Sequence, residues 1–265
     1  RELVLAALAD SPSLLRAPLH SRDSKLMVEA LRSLGTTITE VAGDSPYGPD
    51  WLITPAELVG STTIDCGLAG TVMRFMPPVA ALALGPTTFD GDTAARRRPM
   101  STTISSLRAL GVDVADEGRG ALPFTVHGTG KVAGGEITID ASASSQFVSG
   151  LLLVAARYEN GLTLRHKGEH LPSMPHIEMT LDCLAKRGVK VSSPEPAVWR
   201  VEPGEISGGR GVNNSVAIEP DLSNAGPFLA AAMVAGGKVF IPGWPSSTTQ
   251  VGDEFDGILQ QMGAK

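Results

Sequence analysis

In Asp140-Ala-Ser-Ala-Ser-Ser-Gln-Phe147 the residues Ser142, Ser144, Ser145 and Gln146 fall between a β run, Glu136–Asp140, and an apolar helical run, Phe147–Ala156. A helix N-terminus presents free N–H groups and a partial positive charge, so hydroxyl and amide donors gathered there suit an anion. An N-cap uses one serine, and the surplus is what points to a ligand. Arg96-Arg-Arg-Pro-Met100 is expected to open a helix ending near Leu110, with Pro99 at its first position. Three arginines there oppose the helix dipole by about 0.3–1 kcal/mol each if exposed. A solvated basic cluster and an anion site both account for them. Ser173 precedes a proline where the helix Ile177–Lys186 begins, and is a cap or a ligand donor on the same reasoning.

Other candidates are weaker. His20, His127, His166, His170 and His176 form no i,i+4 metal pair and no serine–acid arrangement, which favours structural or surface roles. Gly128-Thr-Gly-Lys-Val-Ala-Gly134 has the wrong spacing for a dinucleotide loop and is followed by a strand, so a hairpin connection is expected.

The elements that position these residues recur. Thr62-Thr-Ile-Asp-Cys-Gly-Leu-Ala-Gly-Thr-Val-Met-Arg-Phe75 and Val216-Ala-Ile-Glu-Pro-Asp-Leu-Ser-Asn-Ala-Gly-Pro-Phe228 repeat the order β run, acid, small-residue turn, apolar helix. Their acids, with Asp140, are Asp65, Asp140 and Glu219, spaced by 75 and 79 residues (140 − 65; 219 − 140). Helix-ending glycines Gly35, Gly111, Gly188 and Gly263 keep intervals of 76, 77 and 75. Two markers with one period predict an α/β fold of repeated βαβαββ modules around a shared core. The first module begins at the helix Arg1–Ala9 without its strand, and the last stops after Gly263, so a piece of a longer protein is expected. A helix over Ser24–Leu34 is capped by Asp23 or Ser21. Pro77-Pro78 should kink or restart the helix that follows Gly70.

With 265 residues, 42% hydrophobic and 19% charged, the chain has the composition of a globular protein with a large core. A formal net charge of −6 argues against nucleic acid or an anionic membrane as partner. Cys66 and Cys183 provide neither a disulfide framework nor a metal site, which makes a reducing cytoplasm the default. No apolar run is long enough for a membrane span.

In order along the chain, Arg1-Glu-Leu-Val-Leu-Ala-Ala-Leu, Ser21-Arg-Asp-Ser-Lys-Leu-Met, Cys66-Gly-Leu-Ala-Gly-Thr-Val-Met-Arg74, Gly91-Asp with Arg98-Pro99, Ser142-Ala-Ser-Ser-Gln-Phe147 and Ser173-Met-Pro-His176 resemble the 5-enolpyruvylshikimate-3-phosphate synthase family, in an actinobacterial-like form. The resemblance covers essentially the whole chain. It implies two domains of βαβαββ modules forming an inside-out α/β barrel, with about three modules and part of a fourth here. Residues 1–217 would form the shikimate 3-phosphate-binding domain, its first module incomplete, and 218–265 the start of the second. The implied reaction adds the 5-hydroxyl of shikimate 3-phosphate to phosphoenolpyruvate and releases phosphate, in aromatic amino acid biosynthesis. Arg1, Ser144, Ser145, Gln146 and Ser173 would bind shikimate 3-phosphate. Gly70, Arg98 and Gln146 would line the phosphoenolpyruvate site, where the family's inhibitor glyphosate also sits.

The family uses neither metal nor cofactor, and the full-length protein is expected to be a monomer. Leu68 and Phe75 depart from residues common in the family, Asn and Pro. The family's Lys-Ser pair would precede Arg1, and its catalytic residues would lie beyond Lys265, so this piece is expected to be inactive alone. Asp221 does not align with the general base. One rival is the sister enzyme that acts on a UDP-N-acetylglucosamine substrate, whose mobile loop usually carries a cysteine that Gly91–Arg98 lacks. A non-catalytic repeat scaffold is another, but for DNA it would need a basic inner surface.

Overall fold

One topology occurs three times in the computed structural model, which describes residues 1–209 and 214–264. The helices are α1 (Glu2–Ala7), α2 (Arg22–Ser33), α3 (Gly70–Ala80), α4 (Ser101–Ala109), α5 (Gln146–Ala155), α6 (Met174–Lys186), α7 (Leu222–Ala235) and α8 (Phe255–Gln261). The strands are β1 (Ser13–Arg16), β2 (Thr37–Val41), β3 (Asp50–Thr54), β4 (Thr62–Asp65), β5 (Leu84–Asp90), β6 (Asp113–Ala115), β7 (Phe124–Thr129), β8 (Gly135–Ile139), β9 (Leu162–His166), β10 (Val191–Glu195), β11 (Val198–Val201) and β12 (Ser215–Ala217). They form four-stranded sheets ordered β12-β1-β3-β2, β4-β5-β7-β6 and β8-β9-β11-β10. In each, a parallel pair joined to an antiparallel pair produces the βαβαββ pattern.

The first sheet answers the question left by its missing strand. β12 lies parallel to β1, with Leu14 opposite Ser215 and Arg16 opposite Ala217, in the position β4 and β8 hold in the other sheets. The strand that opens the last repeat thus completes the first one. Residues 210–213, within the expected 1–217 domain, and Lys265, at the end of the expected 218–265 unit, lie outside the described residues.

Helix ends repeat with the same fidelity. Gly35, Gly111, Gly188 and Gly263 have φ of 104°, 83°, 82° and 102°. Beyond each, one N–H reaches back five residues to a leucine carbonyl: Thr36 to Leu31, Val112 to Leu107, Val189 to Leu184 and Ala264 to Leu259, at 2.9–3.1 Å. This bonding needs a left-handed residue at the glycine position. The acidic marker requires a correction. Asp65 and Asp140 accept the N–H two residues on, at Gly67 and Ser142, but Asp221, not Glu219, does so at Ser223. β12 ends at Ala217 and Pro220 intervenes, so the turn starts two residues later, while Glu219 binds Thr248 and Gln250.

Three local expectations are also decided. Ser21 caps α2 and Asp23 sits in its first turn. Pro77 and Pro78 do not restart α3, which continues to Ala80 with both prolines buried. Burial against α5 outweighs the amide bonds they remove from the last turns. Gly128–Gly134 joins β7 to β8 in different sheets, so it is a crossover between modules and not a hairpin.

The interior is helical. α5 is buried from Phe147 to Ala155 and α3 along nearly its whole length, while strands such as β7 alternate buried and partly exposed positions. A helix apolar on all sides must be surrounded, and these two pack on each other. They meet at Gly150, where an added Cβ would overlap the Arg74 carbonyl oxygen and lie 3.1 Å from its carbon. Pro78 has no N–H to offer that carbonyl, so glycine lets α5 close over it.

Candidate functional site

Two side chains, from two separate segments, meet over Gly70 at the start of α3. A Cβ placed on Gly70 would lie 2.9 and 3.2 Å from the two terminal nitrogens of Arg98 and 3.1 Å from Gln146 Oε1. The structure therefore brings together Gly70, Arg98 and Gln146, and the missing side chain at Gly70 leaves room for the other two. Arg98 Nη1 donates to the Leu68 carbonyl at 3.1 Å, which aims the guanidinium across the first turn of α3.

Arg98 arrives there differently from the expectation. Ala95–Arg97 forms a short 3₁₀ turn, Arg98 is extended with ψ of 135°, and α4 begins only at Ser101. A residue before proline is driven out of the helical region, so Arg98 cannot begin the helix and Pro99 is not its first residue. The three arginines diverge. Arg96 binds Asp90 through two contacts of 2.8 and 2.6 Å and holds that carboxyl below its ordinary range. Arg97 is exposed, and Arg98 turns inward.

Arg74, which ends the Cys66–Arg74 motif and was assigned no role there, lies behind Arg98. It is 3% exposed, donates to the Pro99 carbonyl at 3.2 Å, and has its guanidinium 5.7 Å from the Phe147 ring centroid. Burial, reinforced by the charge of Arg98, lowers its pKa to about 10. Among the described residues its Nε has no partner, and no carboxylate pairs with either arginine. Adjacent cations without a carboxylate favour an anion between or beside them. A single charge inside the apolar run Thr71–Ala80 was the signal for Arg74.

Gln146 begins α5, preceded by Ser144 and Ser145. Ser145 is the N-terminal boundary residue and is buried, yet its side chain makes no capping bond. Ser144 Oγ accepts the Gln146 N–H at 3.2 Å, which leaves its own proton free to donate. The turn is held by Asp140, which accepts from Ser142, and by Thr102, which donates to the Asp140 carbonyl. Hydroxyls released from capping and located at a helix N-terminus suit a phosphate.

Arg1 and Ser173 fall at the neighbouring helix. Arg1 Nε donates to Thr180 Oγ1 at 2.7 Å and Nη2 to the His176 carbonyl at 2.8 Å, and its guanidinium stands 5.9 Å from the Phe75 ring centroid. Ser149, on the first turn of α5, donates to the same carbonyl at 3.4 Å and accepts from Thr180. The starts of α5 and α6 are thus tied together around Arg1, one helical turn from Gln146. Ser173 begins α6 in a left-handed conformation, φ 56°, without a capping bond and exposed. A non-glycine residue held there stores strain of the kind concentrated at binding sites.

His176, for which a structural or surface role was expected, joins Arg74 as a second residue not assigned to the site by sequence. With Arg1, Trp51, Cys183 and Asp221 it lines a cleft of about 620 Å³ between α6, the first sheet and the segment after β12. Burial, then the charge of Arg1, lowers its pKa. Asp221 caps α7 through Ser223 and Asn224. Burial pushes the Cys66 and Cys183 thiols up to about 12, so neither supplies a thiolate nucleophile. Among the described residues no His, Cys, Asp and Glu cluster could hold a metal ion, and no helix is long and apolar enough to cross a membrane.

A family model described as EPSP synthase (3-phosphoshikimate 1-carboxyvinyltransferase) matches residues 1–265. The chain belongs to the EPSP synthase family. A relative from Kocuria rhizophila named 3-phosphoshikimate 1-carboxyvinyltransferase is 56% identical over 269 residues, covering 100% of this chain and 59% of the relative. The chain therefore spans about three fifths of that relative's length. Two solved structures from Acinetobacter baumannii, both EPSP synthases, share the fold. One has a TM-score of 0.79 at 21% identity, covering 100% of this chain and 57% of the other. The second has a TM-score of 0.76 at 22% identity, with coverage of 100% and 56%. Membership in the EPSP synthase family favours neither the UDP-sugar enolpyruvyl transferase nor the scaffold reading.

Proposed function

We propose that this chain supplies substrate-binding parts of a 3-phosphoshikimate 1-carboxyvinyltransferase, which transfers the enolpyruvyl group of phosphoenolpyruvate to the 5-hydroxyl of shikimate 3-phosphate. The observation that carries the reading is the meeting of Arg98 and Gln146 over Gly70, with buried Arg74 behind them and, among the described residues, no carboxylate paired with either arginine. Arg98 and Gln146 hold phosphoenolpyruvate over Gly70. Ser144 and Ser145, at the start of α5, take the 3-phosphate, with Gln146, Arg1 and Ser173 lining the rest of shikimate 3-phosphate. Residues 1–217 form the domain that binds it and 218–265 the start of the second.

In this reaction the hydroxyl oxygen adds to C2 of phosphoenolpyruvate and gives up its proton while C3 gains one, a tetrahedral intermediate forms, and loss of phosphate together with a proton from C3 restores the double bond. Fixed cations stabilise anionic oxygens throughout, a task that requires neither metal nor cofactor. Calorimetric titration of shikimate 3-phosphate into this chain tests the proposal. Binding should weaken in Ser145→Ala, and phosphoenolpyruvate added afterwards should depend on Arg98. Heats unchanged by both Ser145→Ala and Arg98→Ala would overturn it.

A further inference from the structure

We propose that His166 is a positioning residue for the Ser144-Ser145-Gln146 turn, which it holds by accepting the Ala141 N–H at Nδ1. The ring lies at the end of β9, opposite Ile139 at the end of β8, where the turn departs from the sheet. The Ala141 N–H donates to His166 Nδ1 at 3.1 Å, and Ala141 is fully buried. A ring that accepts at Nδ1 carries its single proton on Nε2. That Nε2 is buried without a partner among the described residues. Gly168 passes against the same edge: a Cβ there would lie 2.6 Å from Cε1 and 2.9 Å from Nε2, and would overlap Ser142 Oγ. The 141–146 turn and the chain after β9 therefore close around one imidazole.

Without that acceptor the Ala141 N–H has no partner, and the turn must shift to find one. The charged neighbours are Asp140 and Lys167. Asp140 is already held below the ordinary carboxylate range, chiefly by its bonds from Ser142. Arg165, the preceding residue on β9, is occupied by Glu136 at 2.5 Å and Glu195 at 3.1 Å. The consequence for ligand binding rests on reading this turn as the phosphate site, whereas the mechanical role of His166 does not.

Amide hydrogen exchange in the ligand-free chain tests the mechanical role. In His166→Leu, protection at Ala141 should fall on the order of tenfold relative to the wild type. His166→Asn, whose Oδ1 can accept at the Nδ1 position, should keep the wild-type protection. Wild-type protection in His166→Leu, or an equal loss in His166→Asn and His166→Leu, overturns the proposal. A parallel titration of each variant with shikimate 3-phosphate separates the two readings. Absent binding with the expected exchange pattern refutes the ligand assignment alone. Normal binding with an unaltered exchange pattern refutes the role of His166 alone.

Discussion

Replacing Gly150 by alanine sets two opposing effects against each other. Alanine is favoured over glycine within a helix by about 1 kcal/mol, and at an open position the change stabilises. At Gly150 the new methyl would overlap the Arg74 carbonyl oxygen, stand 3.1 Å from the carbonyl carbon and press on Phe75 Cδ1 at 3.4 Å. The first two are backbone atoms of α3, so no side-chain rotation can relieve the clash and α5 must withdraw from a fully buried contact. Overpacking of this kind costs about 1–3 kcal/mol, and we expect the upper part of that range to exceed the propensity gain. Gly257 in α8 is an internal control, because a Cβ there meets nothing within 4 Å. Gly257→Ala should stabilise by about 0.5–1 kcal/mol, which separates the variants by about 2–3 kcal/mol in urea unfolding.

The effect should reach the site. Gln146 stands four residues before Gly150 on α5 (150 − 146), and Gly70 four residues before Arg74 on α3 (74 − 70). Withdrawing α5 therefore moves Gln146 away from Gly70 and Arg98. Phosphoenolpyruvate binding, measured after saturation with shikimate 3-phosphate, should weaken in Gly150→Ala and remain normal in Gly257→Ala. Equal stability of Gly150→Ala and wild type would refute the reasoning, as would a stable Gly150→Ala with unchanged binding.

Further expectations concern individual charges. Arg98→Lys keeps a cation but not a planar fork able to bond Leu68 and an anion together, so phosphoenolpyruvate affinity should fall about 10- to 100-fold in equilibrium titrations. Arg187, 2% exposed, binds Glu2 at 2.8 and 2.9 Å and the Ser207 carbonyl at 2.8 Å. Arg187→Met should therefore cost about 3–5 kcal/mol in urea unfolding, and adding Glu2→Gln should recover part of it. Asp116 is lowered to about 2 by the Arg108 bond, then by the Gly120 N–H. A depressed carboxyl stabilises the fold above its unfolded pKa and loses that contribution as pH falls, here between about 4 and about 2. Thermal melts of Asp116→Asn should show a shallower decline across that interval than the wild type.

The sequence by itself determined the repeat. Glycine after a leucine-bearing helix recurs at Gly35, Gly111, Gly188 and Gly263 because the same backbone bonding closes each helix, and that bonding is local. The surplus hydroxyls before Gln146 were legible for the same reason, since a helix start and its donors lie within a few residues of each other. Tertiary structure alone decided the rest. That β12 completes the first sheet is a pairing about two hundred residues long in sequence separation, which no local pattern encodes. The division of labour among Arg96, Arg97 and Arg98 depended on where Asp90 and Gly70 stood in space. Arg74 and His176 were hidden because their sequence surroundings describe an apolar helix and an ordinary helix start. Their chemistry comes from what the fold packs against them: a second guanidinium in one case, Arg1 across a cleft in the other.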